Sequence, residues 1–239
     1  MRTFLKLVVC AVMAIQSVTA RSVPLAPRGV SFPKYNRLSM NDTAILLIDH
    51  QVGLQALVKD FDTVGFQNNV LALADIAKEL KLPVVITASV PEGPNGPLMP
   101  EILKMFPDVA VVSRHGEVNA WDNPEFRAAV KKTGRKQLVM AGIVTDVCVA
   151  FPALSAIEEG YQVFAAVDAS GTFNEVVRYA AWDRMSQSGV QLMNWFSILC
   201  ELTRDWRVHG PAMTDIILKH LPEYKNTMIT FNQSSNHSG

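Results

Sequence analysis

Three residues of this chain could together attack an electrophilic carbon: Asp49, Arg114 and Cys148, a carboxylate, a cation and a thiol, each at or just beyond the end of an apolar run. Cys148 closes Ala141-Gly142-Ile143-Val144-Thr145-Asp146-Val147-Cys148, which leads from an apolar run through a small-residue turn onto the start of a helical pattern. A thiol at a positive helix end, among backbone N–H groups without intrahelical partners, gains thiolate character. Cysteine is also a small hydrophobe at home in cores, so this segment alone leaves both roles open. Asp49 ends Ile45-Leu46-Leu47-Ile48-Asp49, where a carboxylate serves as a base or as a turn or helix cap. Arg114 ends Val111-Val112-Ser113-Arg114, available for charge stabilisation or for a surface ion pair. Three strand ends delivering these groups to one edge form a rarer coincidence than any one of them.

The elements that must position them alternate. After a proline-containing lead-in, residues 21–40, apolar runs predict strands over Ala44–Ile48, Pro83–Ala88, Ala110–Ser113, Gln137–Gly142, Gln162–Val167 and Val190–Met193. All but the last are continuous rather than alternating, as in strands covered on both faces. Helical patterns fall over Val64–Leu80, Pro124–Thr133, Val147–Glu159, Asn174–Ser188 and Trp195–Leu202, with a final helix around Ala212–His220. Gly134 and Gly160 punctuate two helix ends, and Asn174 suits an N-cap. Repeated βα units predict an α/β fold on one parallel sheet. The loop Pro91-Glu92-Gly93-Pro94-Asn95-Gly96-Pro97 is rigid and irregular, at the sheet edge where open α/β folds bind ligands. It serves as a connection, a subunit contact or a substrate contact.

Composition excludes other classes. The 239 residues are 49% hydrophobic and 18% charged, enough for one large domain with a full core. Lysine plus arginine equal aspartate plus glutamate at 22 each, without a basic cluster, which argues against nucleic acid as a partner. The first twenty residues differ: Arg2 and Lys6 precede an apolar run, Leu7 to Ile15, and Val18-Thr19-Ala20 offers a cleavage site. Residues 1–20 therefore read as a secretory signal peptide, too short to be a permanent membrane anchor, and predict export. Cleavage after Ala20 leaves only Cys148 and Cys200, too few for a disulfide scaffold, and Cys200 lies in an apolar helical stretch as a packing thiol. Asn41, Asn232 and Asn236 begin glycosylation sequons, and residues 226–239 read as a disordered tail.

The chain resembles the isochorismatase-like cysteine hydrolases, and within them the YcaC-like subfamily, from about Asn41 to Arg207. The resemblance rests on Leu47-Ile48-Asp49-His50-Gln51, Gly93-Pro94-Asn95-Gly96-Pro97, Val118-Asn119-Ala120-Trp121-Asp122-Asn123, Gly142-Ile143-Val144-Thr145-Asp146-Val147-Cys148 and Asp168-Ala169-Ser170-Gly171-Thr172-Phe173-Asn174. It implies a three-layer αβα sandwich around a six-stranded parallel sheet of Rossmann-like topology, over residues 41–225, with Asp49, Arg114 and Cys148 as catalytic triad. Relatives usually carry lysine in the middle role. Arginine keeps the charge but does not release its proton, which leaves Arg114 charge stabilisation alone. A non-proline cis peptide belongs to the same pattern and falls on Ile143–Val144, aiming the N–H of Val144, with that of Cys148, at one oxygen as an oxyanion hole. The implied reaction is hydrolysis of a small amide, imide or related carbonyl compound through a thioester, without a cofactor, in a homo-oligomer, tetramer or octamer.

Nicotinamidase-type relatives hold a metal with aspartate and histidines after the second strand. Here that region lacks histidine, and the five histidines are scattered without ligand spacing, so no metal is expected. True isochorismatases lack the nucleophilic cysteine, so Cys148 argues against that substrate. His50 alternates away from Asp49 and is expected to pack or face solvent. The resemblance brings Gln51, Asn119, Trp121, Phe151, Phe173 and Asn174 near the thiol as pocket candidates, Asn119 and Trp121 foremost, although aromatic residues at such spacings also form core. Two other classes fit the same residues: a non-catalytic small-molecule-binding or assembly protein, and a redox-sensitive thiol protein. An enzyme needs Cys148 reactivity to depend on Asp49, a sensor needs only a reactive thiol, and a scaffold needs neither.

Overall fold

The continuous apolar runs become six parallel strands: β1 (Thr43–Ile48), β2 (Val84–Ser89), β3 (Val111–Arg114), β4 (Gln137–Gly142), β5 (Gln162–Ala166) and β6 (Gln191–Met193). They form one sheet in the order β3-β2-β1-β4-β5-β6. Side chains of β1 alternate between two cores. Ile45 and Leu47 pack with Phe66, Leu73, Ile76, Ile198 and Ile217, from α1 (Thr63–Glu79), α6 (Trp195–Thr203) and α7 (Trp206–His220). Ala44, Leu46 and Ile48 pack with Phe126, Val130, Ala153, Ala156 and Met185, from α3 (Pro124–Lys132), α4 (Ala150–Glu158) and α5 (Glu175–Gln187). Helices on both faces make the αβα sandwich that continuous apolar strands require. The computed structural model describes residues 35–235, with side chains to Phe231; the leader, most of the lead-in and the sequon at Asn236 lie outside what is described.

Strand ends agree with the sequence pattern to within one or two residues, and three helical segments differ. A short α2 (Pro100–Met105) follows the proline-rich loop, where six residues are too few to show a helical stripe. The helix α7 begins at Trp206 and runs through Pro211, rather than starting at Ala212, with Asp205 capping its start by accepting from Arg207 N–H at 2.8 Å. The helix α8 (Pro222–Ser235) occupies positions 226–235, read from composition as a disordered tail. It carries no buried stripe to announce it, but Tyr224 stacks on Trp206 of α7 at 6.4 Å between ring centroids.

This strand order makes β1 and β4 the switch point of the sheet. The chain first builds outward from β1 to β2 and β3, then returns to place β4 on the other side. Connections leaving β1 and β4 diverge there, opening the crevice in which such sheets bind ligands.

Candidate active site

Asp49 and Cys148 emerge at that crevice because two neighbouring strands turn sharply. Ile48 pairs with Gly142, the last residues of β1 and β4. A Cβ at Gly142 would lie 2.3 Å from the Ile48 carbonyl oxygen, so only glycine lets the strands close there. The next residue of the first chain, Asp49, takes φ +56°, a left-handed conformation that aspartate tolerates better than most residues. On the other, the Ile143–Val144 peptide is cis, as the resemblance implies. It is followed by a π-helical turn, Thr145–Val149, before α4. The sequence predicts an ordinary helix start over this stretch; instead Cys148 sits on a wider turn closed by Val149 N–H to the Val144 carbonyl at 3.3 Å.

Arg114 arrives from the edge strand β3 and reaches across β2. It is fully buried, and each of its three nitrogens has a partner: Nε donates to Thr87 Oγ1 at 3.1 Å, and Nη1 to the carbonyls of Glu117 at 2.6 Å and Val118 at 3.2 Å. Nη2 donates to Asp49 Oδ2, making a buried ion pair. Asp49 is also fully buried, its other oxygen, Oδ1, has no hydrogen-bond partner among the described residues, and its charge is near enough to the Cys148 sulfur to disfavour a thiolate there.

Burial, then the Asp49 charge, pushes the Cys148 thiol well above the ordinary cysteine range. The helix-end thiolate expected from the sequence is therefore replaced at rest by a neutral thiol beside a carboxylate. Burial also raises the Asp49 carboxyl, against the pull of the Arg114 guanidinium. A raised carboxylate beside a protonated thiol is placed to take its proton when the sulfur gains an electrophile.

The six pocket candidates separate. Gln51 is fully buried and acts as a staple: its amide nitrogen donates to the carbonyls of Ser89 (3.1 Å) and Gly96 (2.6 Å), and its oxygen accepts from the Ser89 N–H. It thereby fixes the Pro91–Pro97 loop, which also packs on Gly53 so closely that a Cβ there would lie 2.2 Å from the Pro94 carbonyl oxygen. Trp121 packs in the core and borders a hollow of about 280 Å³ with Arg127 and Lys131. It is 4% exposed, its indole N–H donates to Glu159, and its ring meets Phe126 and Tyr161 edge-on. Asn119 caps the following turn and donates to Ser155 Oγ at 3.1 Å. It lines a hollow of about 300 Å³ with Phe151 and Arg184. Phe151 also lines a neighbouring hollow of about 440 Å³ with Asp146 and Val147, beside the Cys148 turn. Phe173 is exposed, and Asn174 caps α5 through Val177 N–H.

His50 is fully buried, its Nε2 3.0 Å from the Ala169 carbonyl, and burial lowers it to about 4, so it is a neutral core residue. Thr87, missed in the sequence, receives Arg114 from below; its only signal is a polar residue inside an apolar run. Among the described residues no group of three or more histidine, cysteine, aspartate or glutamate side chains could hold a metal ion.

Fold and site together define a class: an αβα sandwich with a buried aspartate–arginine pair against a cysteine at the switch point of its sheet. The isochorismatase domain family matches residues 43–196, and the chain belongs to that family. It is 56% identical over 197 residues to the Escherichia coli protein named Probable hydrolase YcaC, covering 82% of this chain and 95% of the relative. The crystal structure of that relative superposes with a TM-score of 0.82, covering 83% of this chain and 98% of the other, and is described as an octameric hydrolase of unknown specificity. YcaC from Pseudomonas aeruginosa, solved with hexane-2,5-diol and covalent acrylamide, is 57% identical with a TM-score of 0.82, covering 83% of this chain and 98% of its own.

Proposed function

We propose that this protein is an exported, homo-oligomeric cysteine hydrolase that cleaves a small amide, imide or related carbonyl compound through a thioester. The observation that carries this reading is the Asp49 carboxyl held between the Arg114 guanidinium and the Cys148 thiol. Asp49 takes the thiol proton as the sulfur attacks the carbonyl carbon. The N–H groups of Val144 and Cys148 receive the developing oxyanion, and Arg114 holds Asp49 in place without exchanging a proton. The C–N bond breaks as Asp49 returns the proton to the leaving nitrogen, forming the thioester. Asp49 then deprotonates a water that attacks the thioester carbon, and the carboxylic acid and the free thiol are released.

Covalent acrylamide on a relative of 57% identity supports an electrophile-reactive site in this family. The octameric relative supports assembly, and the leader supports export.

The test is release of amine or ammonia from a panel of small amides. Cys148→Ala should abolish it, and Asp49→Asn should slow it by about 10²-fold or more, the ordinary contribution of a general base. Full turnover in Cys148→Ala would end this reading.

A further inference from the structure

The turn bearing Cys148 is braced by a second cluster that the proposed chemistry does not use. Asp146, two residues before Cys148, accepts a hydrogen bond from Thr172 Oγ1 at 2.6 Å, a length typical of a hydroxyl on a carboxylate. Thr172 is fully buried and held at its backbone as well. Its N–H donates to Asp60 Oδ1 at 2.8 Å, and its carbonyl accepts from Lys59 N–H at 2.8 Å. The neighbouring Gly171 carbonyl accepts from Thr145 N–H at 3.0 Å, so the 171–172 backbone runs along the start of the π turn.

The far end of this chain of contacts is anchored in α5. Arg178 is buried, donates to the Asp60 carbonyl at 2.7 Å, and stands 3.8 Å from Asp60 Oδ2. Its guanidinium lies over the rings of Phe61, Tyr179 and Trp182 at 4.9, 5.0 and 5.1 Å. A desolvated cation stacked on aromatic faces is a firm anchor. A π turn, by contrast, is an uncommon conformation that its own long hydrogen bond holds poorly.

We infer that Thr172 is a positioning residue for Cys148: fixed by Asp60 and Arg178, its hydroxyl holds Asp146 and the π turn so that the sulfur stays against Asp49. This rests on the reading of Cys148 as a nucleophile served by Asp49. Only the side-chain hydroxyl carries the link to Asp146, so the isosteric Thr172→Val cuts it while Thr172→Ser keeps it.

The experiment measures alkylation of Cys148 by iodoacetamide against pH, by peptide mass spectrometry, with Cys200 as internal control. Asp49→Asn should move the Cys148 midpoint downward, and that displacement reads the sulfur–carboxylate coupling. It should shrink to less than half in a Thr172→Val background, persist in Thr172→Ser, and shrink equally in Asp146→Ala, the two losses not adding because they break one link. A full displacement in Thr172→Val and Asp146→Ala would overturn the positioning role and leave the hydrolase reading intact. No displacement in the otherwise native chain would overturn both.

Discussion

Arg114 is the largest fully buried side chain among the described residues, and its burial is sustainable because it has hydrogen-bonding partners on every side: Thr87, Glu117, Val118 and Asp49. Arg114→Met should cost about 3–5 kcal/mol in denaturant unfolding, since it leaves the Asp49 charge buried and unpaired. Arg114→Lys should cost less, keeping the charge while losing the spread of donors that reaches the two carbonyls. For Cys148 the sign follows from repulsion. Burial and the Asp49 charge disfavour a thiolate, so its alkylation in the native chain should need a higher pH than that of an ordinary cysteine, and removing the carboxylate should lower the requirement. Asp49 and Arg114 were legible as candidates because each is a charged group closing an apolar run, and Cys148 because it follows a small-residue turn after one. The role of Trp121 was not, because the same sequence neighbourhood suits a pocket wall or a core plug, and in the fold it packs on Phe126 and Tyr161 while bordering a hollow.

At the scale of elements, the closeness of β1 and β4 sets the site. Gly142→Ala would place a methyl group 2.3 Å from the Ile48 carbonyl, forcing apart the two strand ends that carry Asp49 and Cys148. The expected loss is about 1–3 kcal/mol in urea unfolding, with a fall in turnover beyond what stability accounts for. Docking of α7 on α1 depends on a second polar cluster. Asp75 accepts from His220 Nε2 at 2.6 Å and from Lys219, and His220 Nδ1 lies 2.9 Å from Asn68 Oδ1. Burial alone would raise the Asp75 carboxyl, but these bonds outweigh it and hold it below its ordinary value of 3.8. A depressed native value means this stabilisation is fully present above 3.8 and is lost as pH falls through the native value. The Tm difference between the native chain and Asp75→Asn should therefore be full near neutrality and narrow in acid; a constant difference would contradict the linkage.

For the whole molecule, sequence and fold bear on different properties. Size-exclusion chromatography should show an assembly of several chains rather than the 26.3 kDa of one, in keeping with the octamer described for the Escherichia coli relative. A monomer at micromolar concentration would remove the oligomer from the proposal. Export rests on the leader alone, and N-terminal sequencing of the secreted product should begin at Arg21. Among the described residues no helix is long and apolar enough to cross a membrane.

Strand positions, the parallel sheet and the placing of Asp49 and Arg114 at strand ends were determined by the sequence itself, because two-sided burial demands continuous apolar runs and their ends announce the sheet edge. Tertiary structure alone decided the ionisation of the site. Helix-end logic favoured a thiolate at Cys148, but the neighbouring charge that opposes it comes from Asp49, ninety-nine positions earlier, across a strand pair closed by Gly142. Likewise Gln51 became a loop staple and Thr172 a brace because partners distant in sequence meet them only when the sheet is assembled. Local pattern records which face of an element is apolar; the energy of a buried charge depends on what the fold places beside it.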